Sequence, residues 1–306
     1  MKKQSLPVRL FKNIKTHPYL YLLSIPVLAY YILFHYGPMY GAQIAFKNYS
    51  PGFGIWGSPW VGLKNFNSFI NDVFFQRIVT NTIMINVYQL FFAFPVPIIL
   101  ALLLNELRSR IYKKTVQTII YMPHFVSLIV ICGLVLDFTS RTGIINDVIA
   151  FFGGERVNMM REPGLFRPVY IISGIWQEAG WGTIIYLAAL AGVEMEQYEA
   201  ARIDGANRFR QMWHVTLPGI MPTIVILLIL RMGSMMNVGF EKIILLYNPT
   251  IYSTADVISS YTYRKGLLEF NFSYSSMVGL FNSVINFALV ISANAISRRV
   301  NETSLW

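Results

Sequence analysis

The chain has 306 residues, of which 55% are hydrophobic, 15% aromatic and only 13% charged. These proportions lie outside the averages for soluble globular domains, so they predict a membrane protein. The net charge of +10 would suggest nucleic acid for a soluble chain, but beside long apolar runs it favours the anionic cytoplasmic face of a lipid bilayer. No nucleic-acid-binding motif is present. Cys132 is the only cysteine, which excludes an internal disulfide and a cysteine-based metal site.

Six apolar runs are predicted to cross the membrane as helices, since each reaches about 20 residues. They cover residues 18–36, 78–104, 115–136, 168–193, 219–240 and 277–297. The first is too long for the apolar part of a signal peptide and lacks a clear cleavage site, so we interpret it as an uncleaved span. Pro95 and Pro97 are expected to kink the second span. The fourth is interrupted by Gln177 and Glu178 but is otherwise apolar.

Lysine and arginine are denser in the N-terminal segment, the 105–114 loop, the central loop (residues 194–217) and the C-terminus than in the other loops. This asymmetry predicts that both termini and the central loop are cytoplasmic. The external loops would then cover residues 37–77, 139–167 and 241–276. Ser253 or Thr254 followed by Asp256 is typical of a helix start, although ordinary loop chemistry explains the pattern equally well.

The segment 199–222, EAARIDGANRFRQMWHVTLPGIMP, is polar and basic and lies between two apolar runs. We predict two short helices that join at Gly205, a residue free to adopt positive φ. Pro218 is expected to restart a helix from its first turn. A basic cytoplasmic loop without a docking role is the alternative, but the fixed spacing of Glu199, Gly205 and Pro218 favours docking to a partner.

A search for catalytic motifs finds no phosphate-binding loop and no H-E-x-x-H sequence, and the four histidines are scattered. We therefore predict a chain that is not an enzyme and that holds no cofactor or metal. His124, after Pro123, is interpreted as a local hydrogen-bonding residue rather than a ligand. If transport is energised, another subunit must supply the nucleotide.

The spacing of the central segment resembles the EAA loop of ABC importer permeases, with Val215 where isoleucine is usual. Other stretches resemble the carbohydrate-type, polysaccharide subfamily of these permeases. They are SPWVGLKNF (58–66), YMPHFVS (121–127), IIYLAALAGVEMEQYEAARIDGA (184–206) and VGLFNSVINF (278–287). The resemblance covers nearly the whole chain. It implies an all-α polytopic membrane protein with six transmembrane helices and the type I importer permease (MetI-like) fold, in one permease domain over residues 1–306.

The resemblance also implies a bacterial cell-membrane complex with a second permease, two ATPase subunits that bind ATP and Mg, and an extracellular solute-binding protein. It assigns contact with the ATPase to residues of the central loop and the helix start after it: Glu199, Ala200, Ala201, Asp204, Gly205, Leu217 and Pro218. The predicted function is the permease subunit of an oligosaccharide importer. A permease for another solute and, from a different class, a membrane scaffold or channel are the alternatives.

Glu178 and Arg231 are ionisable residues inside predicted spans, where such residues are costly and usually face a cavity or each other. Helix rise places them at depths that agree within a few Å in a core of about 30 Å. The two alternatives are a polar translocation pathway and a buried structural ion pair.

Polar residues recur at three- and four-residue spacing on the last predicted span, which gathers Asn282 and Asn286 on one helix face. Amides suit sugar hydroxyls, and Trp176 and Trp181 offer apolar faces for a sugar ring. We therefore add these four residues to the candidate pathway. Hydrogen bonds between helices are the alternative role for the two asparagines.

Overall fold

The computed structural model describes residues 16–300, and in that range the chain is helical. Lys47 and Trp60 form an isolated bridge, and these residues contain no β-sheet. The prediction of an all-α protein is confirmed. The basic N-terminal segment and the last residues of the C-terminus, both predicted to be cytoplasmic, lie outside the described residues.

The α-helices of the described range are numbered here in chain order. The first nine are α1 (Pro18–Tyr31), α2 (Gly37–Met39), α3 (Gly54–Gly57), α4 (Lys64–Ile70), α5 (Phe75–Tyr88), α6 (Pro95–Glu106), α7 (Arg110–Tyr121), α8 (Leu128–Thr139) and α9 (Ile144–Phe151). The others are α10 (Pro163–Ala191), α11 (Met195–Ile203), α12 (Arg208–Gln211), α13 (Leu217–Gly233), α14 (Phe240–Leu246), α15 (Tyr252–Ala255), α16 (Ile258–Tyr263) and α17 (Phe272–Val300). Short 3-10 and π-helical segments connect several of them.

Five helical segments of the described range are long and apolar enough to cross a membrane. They are Pro18–Phe46, Phe75–Glu106, Leu128–Phe151, Arg208–Gly233 and Phe272–Arg299. The predicted span 168–193 corresponds to α10, which has 29 residues and is therefore also long enough to cross a membrane. Gln177 and Glu178 lower the hydropathy of this helix, as the sequence indicated.

The predicted span 115–136 is wrong as one continuous helix. The chain leaves α7 after Tyr121, forms a 3-10 turn over Met122–Phe125, and enters α8 at Leu128. Pro123 cannot donate a backbone hydrogen bond, and the Ser127 side chain accepts the backbone N–H of Val130 at the start of α8. The break brings His124 to the surface of α10.

Helix α10 lies at the centre of the bundle and packs against α6, α7 and α13. One hydrophobic core forms where α10 meets α6 and α13. It contains Tyr186 and Leu190 of α10, Ala101 of α6 and Ile220 of α13. A second core joins α4, α5, α16 and α17, where Phe69, Ile78, Ile258 and Val278 are almost completely buried. Close packing on several sides holds α10 in a defined position.

Contacts between distant segments show which loops lie at the same end of the bundle. Arg208 of α12 contacts Glu106 at the end of α6, with 3.6 Å between Nη1 and Oε2. The central loop therefore lies where the Phe75–Glu106 segment ends, which we name the central-loop end. Asn81 of α5 donates to the backbone oxygen of Asp256 at 2.9 Å. The segment before α5 and the helices α15 and α16 therefore lie towards the opposite end.

Candidate functional site

The central loop bends at Gly205, between α11 and α12, as the sequence predicts, but α12 is not a separate short helix because it continues through a π turn into α13. Gly205 has φ of 77°, and the Ala206 N–H donates to the Ala201 oxygen at 2.8 Å to close the end of α11. This is the pattern of a glycine that terminates a helix. Asn207 then caps α12, since its side-chain oxygen accepts the Arg210 N–H at 2.9 Å.

Polar contacts tie the two halves of the loop together. The Tyr198 hydroxyl of α11 donates to Thr216 Oγ1 at 3.0 Å, just before α13 begins. The Gln211 side chain donates to the Ala206 oxygen at 2.7 Å. The first bond links α11 to the base of α13, and the second holds α12 to the turn after α11.

The residues predicted to contact an ATPase lie at the surface of this loop. Glu199, Ala200, Asp204, Gly205 and Pro218 are exposed, whereas Ala201 and Leu217 are half-buried. Large apolar side chains share this surface: Ile203 is 87% exposed and Phe209 is 64% exposed. A cavity of about 950 Å³ opens between the loop and the end of α6. Whether these residues contact an ATPase stays a prediction.

Pro218 lies in the first turn of α13, as expected, but the chain is already helical before it, so this is not a new start after a break. Residues Arg208–Gly233 form one helical segment, and a π turn over Met212–Thr216 precedes the proline. The Leu217 N–H bonds the Met212 oxygen, five residues back. The wider turn accommodates the proline ring, which has no N–H and collides with the carbonyl four residues earlier in a regular α-helix.

A larger cavity of about 1060 Å³ lies within the bundle, between α10, α13, α14 and the π turn after α5. Glu178, Trp181 and Arg231 line it, all three of them candidates from the sequence. Polar lining residues that the sequence analysis did not select are Gln89, Gln177, Ser234, Asn237, Glu241 and Lys242. The cavity therefore combines both signs of charge, amides and one indole ring.

Glu178 and Arg231 line the same cavity but do not pair, so the ion-pair alternative is wrong. Glu178 Oε2 lies 3.0 Å from His124 Nδ1. Arg231 donates from Nη2 to Gln89 Oε1. His124 has the local hydrogen-bonding role predicted for it, and its ring stacks on Trp181 with centroids 4.5 Å apart and planes 3° apart.

Lys242 is the main residue of the cavity that sequence reasoning missed. It is 7% exposed, and its Nζ donates to the backbone oxygen of Tyr170 at 3.3 Å. The available signal is a lysine within an apolar stretch, GFEKIILLY, most of which falls in the predicted external loop 241–276. Gln89 was also detectable, because it is a polar residue within a predicted span.

Asn282 and Asn286 do not line the cavity but hold the segment that does. Both donate to Asn237 Oδ1, at 2.8 Å and 3.4 Å respectively. Asn286 also accepts the Met236 N–H at 2.8 Å. Both asparagines therefore have a structural role close to the alternative of bonds between helices, although their partners lie in the connection between α13 and α14 and not in a helix. Trp176 is 50% exposed and is not among the residues that line the cavity.

Comparison with known proteins adds to this geometry. Residues 93–302 match the model of the family described as binding-protein-dependent transport system inner membrane component. The chain belongs to this family. It is thus a membrane component of a transport system that works with a binding protein, as the resemblance implied.

Individual relatives cover almost the whole permease. It is 48% identical over 294 residues to protein LplB of Bacillus subtilis, covering 96% of this chain and 92% of the relative. It is 46% identical over 299 residues to the polygalacturonan/rhamnogalacturonan transport system permease protein YteP of the same organism, covering 97% and 93%. A chain of a bacterial alginate ABC transporter, solved with an alginate pentasaccharide-bound periplasmic protein, superposes with a TM-score of 0.89 at 43% identity, covering 97% of this permease and 100% of that chain.

Proposed function

We propose that this permease is a subunit of an ATP-driven, binding-protein-dependent importer of oligosaccharides, and that it forms the translocation pathway with a second permease. The observation that carries the proposal is its similarity over nearly the full length to a polygalacturonan/rhamnogalacturonan permease and to an alginate transporter chain. The cavity of about 1060 Å³ supports it, because amides, carboxylates and an indole ring suit the hydroxyls and apolar faces of sugars.

The proposed orientation places the termini and the central loop in the cytoplasm of a bacterial cell, with the opposite end facing the solute-binding protein. Two ATPase subunits bind ATP and Mg and dock on the central loop. Glu199 offers a carboxylate to a basic residue of the ATPase, and the small side chains of Ala200 and Ala201 permit close approach. The permease itself carries out no chemical step.

The contacts of the central loop suggest how ATPase movement reaches the substrate. A force on α11 passes through the Tyr198–Thr216 hydrogen bond to the base of α13. Helix α13 and the residues just after it supply Leu227, Leu230, Arg231 and Ser234 to the cavity wall. Movement of the loop would therefore shift one wall of the cavity against α10, which is the kind of change that alternating access requires.

The experiment that tests this proposal changes Gly205, whose positive φ disfavours a β-carbon by about 1–2 kcal/mol. Gly205→Val should detach or uncouple the ATPase, whereas Gly205→Asn should retain more of it because asparagine tolerates this conformation. No atom lies within 4 Å of the position of an added Cβ, so the effect is conformational rather than steric. ATPase copurification and oligosaccharide-stimulated ATP hydrolysis are measured in membranes.

Lys64→Ala, in α4 near the opposite end, is the control and should behave as the unchanged permease. Normal ATPase retention and coupling in Gly205→Val would contradict docking through this loop. Failure of every oligosaccharide in a panel to stimulate ATP hydrolysis by the unchanged complex would contradict the proposed substrate class.

A further inference from the structure

The large cavity contains two cations, Arg231 and Lys242. Neither Arg231 nor Lys242 forms an ion pair with any Asp or Glu of residues 16–300. Arg231 bonds the neutral Gln89, and Lys242 bonds the backbone oxygen of Tyr170. Charges removed from water are costly unless an opposite charge compensates them.

The two cations lie around one side chain, Tyr170. Lys242 Nζ lies 5.0 Å from the centroid of the Tyr170 ring. The hydroxyl of the same ring lies beside Gln89, the residue that Arg231 contacts, and beside the Gly239 backbone. The positive charges therefore share one part of the cavity.

The carboxylates that line the cavity, Glu178 and Glu241, form no ion pair with Arg231 or Lys242, although Glu178 is close enough to Lys242 to act on it electrostatically. Glu178 is bonded to His124, and Glu241 forms no ion pair with either cation within residues 16–300. Glu241 is also exposed, so water screens its charge. An anionic group that enters the cavity would thus find donors from a guanidinium and an ammonium without displacing a protein carboxylate.

The cavity also offers an apolar platform for a sugar ring. His124 stacks on one face of Trp181, and the Phe125 ring meets Trp181 nearly edge-on at 5.4 Å between centroids. Trp181 is still 41% exposed and lines the cavity. These contacts fix the indole orientation and leave part of its surface free for an apolar sugar face.

We propose that the cavity binds oligosaccharides that carry carboxylate groups, with Arg231 and Lys242 as the residues that select for the acid. This inference rests on the proposed importer function and narrows its substrate class to uronic-acid sugars. A carboxylate that reaches either cation would form charge-assisted hydrogen bonds, which are stronger than hydrogen bonds between neutral groups.

The test uses the whole complex in proteoliposomes with its solute-binding protein. Uptake of a galacturonic acid trisaccharide is compared with uptake of a neutral galactose trisaccharide, each at a concentration that saturates the binding protein. We expect the unchanged importer to take up the acidic sugar about tenfold faster, the difference that one charge-assisted hydrogen bond of about 1.5 kcal/mol produces. Uptake of the neutral sugar at an equal or higher rate would overturn the inference while leaving the importer function intact.

Variants then separate charge from structure. Arg231→Gln and Lys242→Gln should each lower uptake of the acidic sugar by about tenfold per complex. Arg231→Lys and Lys242→Arg keep the charge and should lose less. Equal losses in the charge-removing and charge-keeping variants would assign the residues a structural role and overturn the inference. If a charge-removing variant does not assemble, the charge-keeping variants decide: the altered donor geometry should lower uptake of the acidic sugar more than uptake of the neutral one, and an equal change for both sugars would overturn the inference.

Discussion

Asp256 shows how a single residue organises the end of the bundle opposite the central loop. Its side chain is completely buried and lies between two arginines, with 2.6 Å to Arg264 Nη2 and 3.1 Å to Arg77 Nη2. Ser260 donates a further hydrogen bond to Oδ1 at 2.7 Å. Because Arg77 belongs to α5 and Arg264 follows α16, this carboxylate joins elements that are distant in sequence.

Asp256→Asn should therefore destabilise the permease strongly. Removing one partner of a buried ion pair leaves uncompensated charge and costs about 3–5 kcal/mol. The measurement is the thermal unfolding midpoint of the purified permease in detergent. Asp147→Asn is the matched control, because Asp147 and Arg156 pair at 2.7 Å while 56% and 41% of their side chains are exposed. That exposed pair should contribute about 0–1 kcal/mol, and similar losses in both variants would refute the argument.

Among the helices, three proline positions show the same local adaptation. Helical segments widen into π turns over Ile32–Tyr36, Gln89–Ala93 and Met212–Thr216, before Pro38, Pro95 and Pro218 respectively. In each case the residue just before the proline bonds the carbonyl five residues earlier. A π turn contains one more residue than an α-helical turn, which leaves space for the proline ring. The helix therefore continues past the proline. At Gln89 the wider turn also belongs to the cavity wall.

The packing of α7 against α10 depends on Gly180. A Cβ at this position would overlap the backbone carbonyl of Ile120 in α7. Gly180→Ala should therefore separate the two helices and cost about 1–3 kcal/mol, as overpacking does. Gly133→Ala in α8 is the control: no atom lies within 4 Å of its added Cβ, and alanine favours a helix by about 0.5–1 kcal/mol. Thermal unfolding midpoints should move in opposite directions, and a Gly180→Ala variant as stable as the unchanged chain would contradict the close approach.

For the whole molecule, the orientation in the membrane can be tested by labelling. Val73 precedes α5 and Ile203 ends α11, so they lie at opposite ends; they are 86% and 87% exposed. In a Cys132→Ala background without the ATPase, a membrane-impermeant maleimide should label Val73→Cys in intact cells. Ile203→Cys should react only after the membrane is permeabilised. The reverse pattern would show that the central loop faces outward.

Local signals in the sequence were sufficient for five of the six spans and for the turn at Gly205, but not for the predicted span 115–136. Span length depends on the thickness of the bilayer, and positive φ depends on one residue type, so neither needs knowledge of distant contacts. The boundaries at Pro123 and Pro218 were harder to predict, because a proline can end a helix or be accommodated by a π turn. Only the surrounding backbone decides between these outcomes.

Composition, periodicity and motif spacing are local properties, and they were enough to predict a helical membrane protein with a polar loop of fixed spacing, while the resemblance to known permeases indicated its role. The tertiary structure alone decided which charges meet. It joined Glu178 to His124 across 54 positions of sequence and Arg231 to Gln89 across 142, and it brought Lys242 into their cavity. Those pairings depend on which faces of the helices pack together, and the buried faces of many helices determine that packing collectively.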